Sequence, residues 1–178
     1  MSGELIDHIG ILVPDLEEGI AKWSAVLGYT FSPIARYRTT RYSDGSNPAP
    51  HSHDARICMS REGPPYIELM GVTGKGTHGP QQLGVHHIGI RLTTDVAARG
   101  AECAMLGVRI DGTSFMEDGR VHLCFTAKED MDGIRLEFIA PFNGPTVADD
   151  GSPLWIDPVT GRRSFWGPPP EAAEILGS

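Results

Sequence analysis

The chain nearly repeats itself, which leaves few folds open to it. Laid 79 positions apart without a gap, Asp7-His8-Ile9-Gly10-Ile11-Leu12-Val13 falls on His86-His87-Ile88-Gly89-Ile90-Arg91-Leu92. In the same register Leu27-Gly28-Tyr29 falls on Leu106-Gly107-Val108. Each half closes on a short apolar stretch holding one carboxylate, Tyr66-Ile67-Glu68-Leu69-Met70 and Ile134-Arg135-Leu136-Glu137-Phe138-Ile139. Two His and two Glu from matching places in a duplicated unit are what a symmetric metal site requires.

Local periodicity supports the duplication. Residues 5–13 alternate as a strand, with Ile6, His8, Gly10 and Leu12 on one face. Pro14 and Asp15 stop it, and Asp15 followed by Glu18 resembles a capping box. Leu16, Ile20, Trp23 and Leu27 recur at helical spacing, and Gly28 stands where a helix terminator belongs. In the second half Thr94 or Asp95 opens a helix through Val96, Ala97, Ala101, Ala104 and Met105, and Gly107 ends it. Strands are expected at 30–38, 55–60 and 66–72, then at 108–110, 121–127 and 134–140, with Asp118-Gly119 and Asp132-Gly133 among the turns.

Each half is therefore expected to run strand, helix, three strands. The expected boundaries are a first module at 1–74, a Gly-rich linker at 75–84 and a second module at 85–141. The first module is longer by about ten residues, which fall in a polar loop at 39–54. That loop is either a lid or substrate clamp, or a solvated hairpin loop with two incidental histidines. Residues 142–178 form a Gly- and Pro-rich tail, expected to pack through Trp155, Phe165 and Trp166 on the body or on a partner subunit.

A net charge of −8 with no basic stripe argues against nucleic acid as a partner. No apolar run approaches the roughly 20 residues of a membrane span, and the amino terminus lacks signal-peptide character. Cys58, Cys103 and Cys124 are odd in number and lack zinc-type spacing, so they are expected to be reduced thiols of a cytoplasmic protein.

A lone strand histidine is usually a hydrogen-bonded core residue, and a lone buried glutamate is costly. Matched pairs of both change the balance, because two buried carboxylates need a cation or a protein partner. His8, Glu68, His87 and Glu137 are thus the expected ligands of one divalent ion, Ni, Co, Zn, Mn or Fe, with room left for substrate oxygens. Arg36, Arg38 and Arg41 either grip an anionic group or form a solvated strand face. His122 is a core residue or a group behind the ligands, and His78 is expected to be exposed in the linker. His86, aligned with Asp7, is expected to face away from His87.

On Asp7-His8-Ile9-Gly10-Ile11, the Leu27-Gly28-Tyr29 helix exit, Ile67-Glu68-Leu69, Val85-His86-His87-Ile88-Gly89-Ile90 and Leu136-Glu137-Phe138, the chain resembles the vicinal oxygen chelate superfamily. That superfamily includes glyoxalase I, methylmalonyl-CoA epimerase, extradiol dioxygenases and bleomycin- or fosfomycin-resistance proteins. The resemblance covers residues 5–141 and is closest to the epimerase and glyoxalase I branch. It implies an α+β fold of two tandem βαβββ modules, whose mixed sheet curls around a metal cleft. It also implies a ligand set at His8, Glu68, His87 and Glu137, with Glu68 or Glu137 as the proton carrier. The expected activity is a metal-dependent isomerase or lyase working next to a carbonyl through an enolate or enediolate, most like a 2-acyl-CoA epimerase. Glyoxalase I-type lyase chemistry and drug binding without turnover are the alternatives. The substrate is then a carbonyl compound or acyl-CoA thioester, and the protein a homodimer. Two departures bear on the substrate: Leu12 and Val13 replace the Arg expected for glutathione, and 36–60 lacks the extra Glu of epimerases.

Overall fold

Alternation decides what each strand buries. On β1 (Ile6–Val13), Ile9, Ile11 and Val13 point to one side, where α1 (Leu16–Leu27) covers them with Leu16, Ile20 and Trp23. Leu12 points to the other side and packs with Ala35, Ala55, Ile57 and Met70. The protein is described by a computed structural model over residues 4–169. Its remaining elements are β2 (Ala35–Asp44), β3 (Asn47–Met59), β4 (Tyr66–Gly71), β5 (Gly84–Arg91), α2 (Val96–Met105), β6 (Ile110–Phe115), β7 (Val121–Thr126), β8 (Arg135–Ile139) and β9 (Thr146–Ala148).

The helices begin and end for local reasons. Asp15 accepts a hydrogen bond from the Glu18 N–H at 2.8 Å, and Asp95 accepts one from the Ala98 N–H at 2.9 Å. Each satisfies an otherwise unpaired first-turn donor, worth about 1 kcal/mol. Gly28 ends α1 in the left-handed region at φ 72°, its N–H bonded to the Ser24 carbonyl. The apolar face of α2, through Val96 and Cys103, closes over Leu92, Cys124 and Phe138. Each fully buried aliphatic side chain in these clusters contributes about 1.5–3 kcal/mol.

The strands form one mixed sheet in the order β3-β4-β1-β5-β8-β7-β6-β2-β9, and a further β2–β3 pairing curls it into a barrel-like ring. β1 runs parallel to β4 and β5 parallel to β8, while β1 and β5 pair antiparallel. Four adjacent strands, β4, β1, β5 and β8, thus make one continuous wall of the ring. Among the described residues no helix is long and apolar enough to cross a membrane.

Three local expectations are corrected. Residues 39–54 are not a loop: β2 and β3 continue through them as a hairpin that turns only at Gly45-Ser46. Tyr42 anchors the hairpin at 1 % exposure, its hydroxyl 2.8 Å from that of Thr77. The first strand after α2 spans Ile110–Phe115 rather than 108–110. His78 is buried rather than exposed, because the linker folds inward and sets its ring 4.6 Å from that of His86 and 4.7 Å from that of His53. Residues 170–178, the end of the expected tail, lie outside the described residues.

Candidate metal centre

Neighbouring strands set the site residues in two rows. Gly10 on β1 pairs with Glu68 on β4 and with His87 on β5. Gly89 on β5 pairs with His8 on β1 and with Glu137 on β8. Each row therefore reads ligand candidate, glycine, ligand candidate. A methyl group on Gly10 would overlap the His87 ring, and one on Gly89 would overlap the His8 ring. Each imidazole thus leans across a glycine towards the carboxylate beyond it. The contacts follow: His87 Nε2 to Glu68 Oε2 is 3.3 Å and His8 Nε2 to Glu137 Oε2 is 3.1 Å. The crossed pairs are longer, at 3.6 Å for His8–Glu68 and 3.4 Å for His87–Glu137.

All four side chains are buried. One donor atom from each of His8, His87 and Glu137 lies within 4.8 Å of the others, a group able to hold a metal ion. Glu68 faces both imidazole nitrogens from β4. Donors bonded to one ion at about 2.0–2.2 Å stand roughly 3–3.5 Å apart, close to the 2.9–3.6 Å found among these atoms.

Two β-bulges fix the tautomers. Asp7 is the extra residue of β1 between the paired Ile6 and His8, and His86 is the extra residue of β5 between Val85 and His87. These are matching positions in the repeat. The His8 Nδ1–H donates to Asp7 Oδ2 at 2.9 Å, so its Nε2 lone pair faces the centre. The carbonyl of Thr77 can only accept, so His86 Nε2 carries the proton of their 2.7 Å bond. His86 Nδ1 then accepts from His87 Nδ1 at 2.9 Å, which frees His87 Nε2 as well. The two Nε2 atoms stand 2.9 Å apart. Two lone pairs cannot face each other at that distance in a buried site unless a proton or a metal ion stands between them. The donor set fits a divalent ion.

The electrostatics match. Burial works to lower the His8 pKa, but the hydrogen bonds to Asp7 and Glu137 and the charge of Glu68 raise it to about 10. Burial pulls His87 down to about 4, against the opposing charge of Glu137. Burial pushes the Glu68 carboxyl up despite the neighbouring His8. Without an ion these surroundings favour a protonated His8.

The centre opens on both sides. A cleft of ≈ 670 Å³, counting its open mouth, borders His8, Glu68 and Glu137 together with Tyr37, Arg91 and His122. Behind it a smaller cavity borders His87, Glu68 and Glu137 with Tyr42, His53 and Phe125. His122 lies at the cleft, its Nδ1 2.9 Å from the Tyr37 hydroxyl.

His8, Glu68, His87 and Glu137 come together from four strands. His86 does not face away from His87: the bulge turns it to the same side, and it orients the His87 ring. The sequence also left unassigned the part of Gly10, Gly89 and Asp7. Their signal was present, since a glycine stands two residues beyond the His in both copies of the repeat and Asp7 stands directly before His8. Arg36 and Arg38 pair with Asp54, at 2.9 and 3.1 Å, away from the cleft.

A family model described as the Glyoxalase/Bleomycin resistance protein/Dioxygenase superfamily matches residues 7–114. No curated protein matches the chain. Among solved structures, a hypothetical protein, BH1468, from Bacillus halodurans C-125 is similar at 19% identity and a TM-score of 0.56, covering 79% of this chain and 96% of its own. A Streptomyces coelicolor methylmalonyl-CoA epimerase variant in complex with 2-nitronate-propionyl-CoA is similar at 24% identity and a TM-score of 0.53, covering 78% and 95%. The methylmalonyl-CoA epimerase from Mycobacterium tuberculosis is similar at 18% identity and a TM-score of 0.52, covering 80% and 93%. These likenesses concern the fold.

Proposed function

Since the chain belongs to the glyoxalase/bleomycin resistance protein/dioxygenase superfamily, we propose that it is a divalent-metal-dependent isomerase or lyase acting on a carbon next to a carbonyl. The observation that carries this is the pair of buried Nε2 atoms 2.9 Å apart, flanked by two carboxylates. Under this reading His8, His87, Glu137 and Glu68 hold one ion. When bound, such an ion supplies Lewis acidity that stabilises negative charge on adjacent substrate oxygens.

The protein's own groups do the rest. Glu137 sits in the tight group with both imidazoles and serves mainly as a holder. Glu68 makes the longest contact of the set, 3.6 Å to His8, and borders the open cleft. It takes the proton from the substrate carbon at a carboxylate oxygen and returns it to the same carbon or to its neighbour. Ile57 and Phe165 wall the cleft and limit water around the reacting carbon.

An acyl-CoA thioester is the substrate class we favour, supported by the similar epimerase structures, which were solved in complex with methylmalonyl-CoA or 2-nitronate-propionyl-CoA. The same reading includes a tandem duplication of the βαβββ unit, supported by the matching bulges at Asp7 and His86. It also includes a homodimer, tested by light scattering.

The test is exchange of the substrate α-proton in D2O, followed by mass spectrometry on methylmalonyl-CoA with Ni(II)- or Co(II)-loaded protein. Exchange is expected, and Glu68→Gln is expected to slow it by about 10²–10⁴-fold. Exchange that is unchanged in that variant would remove Glu68 as the base. No exchange at all with loaded protein would remove the acyl-CoA class.

A further inference from the structure

Residues 142–169 turn back over the cleft. β9 pairs with β2, Thr146 against Tyr37 and Ala148 against Ala35. Phe165 packs against the cluster of Leu12, Ala35 and Met70. Arg163 donates to the carbonyls of Gly144 and Thr146, and its own N–H donates to Asn143 Oδ1 at 3.0 Å. Gly144 lies so close to His122 that a methyl group there would overlap the ring.

This placement brings Arg162 and Arg163 into the same cleft as His8, Glu68 and Glu137. Arg91 joins them from the inward face of β5, in phase with His87 and Gly89. Most arginines of this protein pair closely with a carboxylate, as Arg56 does with Glu17 at 2.7 Å and Arg135 with Asp111 at 2.9 Å. Among the described residues Arg162 and Arg163 bond only carbonyl oxygens through their guanidinium groups, Arg162 to that of Pro141 at 3.2 Å. Arg91 reaches Asp7 only at 3.5 Å. Burial and the charge of Arg91 both pull the Arg162 pKa down, and His122 feels the charge of all three. Half-buried cations converging on an open cleft are stabilised by an anion, and guanidinium groups suit planar or bidentate oxygen acceptors.

We propose that the segment after Pro141 completes the substrate site, with Arg91, Arg162 and Arg163 taking an anionic oxygen group, carboxylate or phosphate, of the substrate. The position of the reacting carbon beside Glu68 rests on the metal-centre reading above; the anion subsite itself does not. An uncharged carbonyl compound is then a poor substrate. The anion lies at the mouth while the reacting carbon sits deeper, against the ligand cluster.

The test is calorimetric titration of malonate, inorganic phosphate and propane-1,3-diol into Ni(II)-exposed protein, with metal content measured on the same sample. One of the two anions is expected to bind, and the tighter one identifies the group. Arg162→Gln is expected to weaken it by about tenfold or more, Arg162→Lys to recover part, and Arg109→Gln, at an exposed pair with Asp130, to change nothing. If Arg162→Gln shifts the melting temperature, Arg91→Gln serves instead. Equal anion affinity in the folded variant and the wild type would overturn the inference, as would binding of the diol as tight as that of malonate, or no anion binding. Absence of nickel in the sample would count against the metal centre, while the comparison of Arg162→Gln with wild type would still decide this subsite.

Discussion

Gly10 and His87 face each other across the β1–β5 pair, and the space that a side chain on Gly10 would fill is the space the His87 ring occupies. Gly89 and His8 stand in the same relation one row away. Strand glycines are usually a cost in stability; here each lets an imidazole cross a neighbouring strand to reach a carboxylate. Gly10→Ala and Gly89→Ala are accordingly expected to fold, yet to weaken Co(II) binding by about tenfold or more. Gly71→Ala is the control, since its new methyl makes only ordinary contacts, 3.7 Å from the Leu16 Cβ. Titration followed by visible absorbance checks all three. Wild-type affinity in Gly10→Ala would mean that the His87 ring is not needed where it stands.

The residues in the two bulges orient the histidines differently. Asp7 presents a carboxylate to His8, and His86 presents a neutral imidazole backed by the Thr77 carbonyl. Asp7→Asn and His86→Phe are each expected to cost about 10–100-fold in metal affinity. Asp7→Asn keeps an acceptor oxygen but loses the charge, and should show the smaller effect. Competition with a chelator of known affinity measures both.

Acid should unfold the protein early. Burial lowers His53 to about 4, His86 to about 3 and His122 to about 4. In the unfolded chain these rings take up protons as pH falls through about 6.5. The folded state resists until near 4 or below. The stability these three rings contribute is thus full above about pH 6.5 and lost between there and pH 4, by about 1.4 kcal/mol per pH unit for each such histidine. Urea unfolding of metal-free protein at pH 7 and pH 5 is expected to show this loss. His122→Gln should make the pH dependence shallower by one proton.

The ring of Phe165 is the apolar anchor of the returning segment. Phe165→Ala is expected to lower stability by about 1–3 kcal/mol, less than the 3–5 of a fully buried phenylalanine, because it is only half-buried. It should also weaken anion binding at Arg162 and Arg163 while leaving metal content unchanged. Thermal melting and the malonate titration check the two effects separately.

The site was legible in the sequence where a side chain's direction depends on alternation alone. His8 and Glu68 share the inward phase of their strands, and the repeat carried the same phase to His87 and Glu137. The bulges broke that logic. Alternation turns His86 outward, but the extra residue in β5 turns it inward, and only the cross-strand register reveals this. The glycines were visible in both motifs, yet their role depends on which residue lies opposite. The 39–54 hairpin was hidden for another reason. Residues 47–50 are exposed on both faces, so no alternation marks them. His78 resembled an exposed linker residue because its burial comes from partners distant in sequence or unmarked by pattern, His53 and Phe125.

The central claim is that these four side chains exist to hold an ion. The most direct test is elemental mass spectrometry of purified wild-type protein, His87→Ala and Glu137→Ala, each after exposure to Ni(II), Co(II), Zn(II), Mn(II) and Fe(II) and removal of loose metal. One divalent ion per chain in the wild type, absent from both folded variants, is the predicted result. No retained ion in the wild type, or equal retention in the variants, would contradict it.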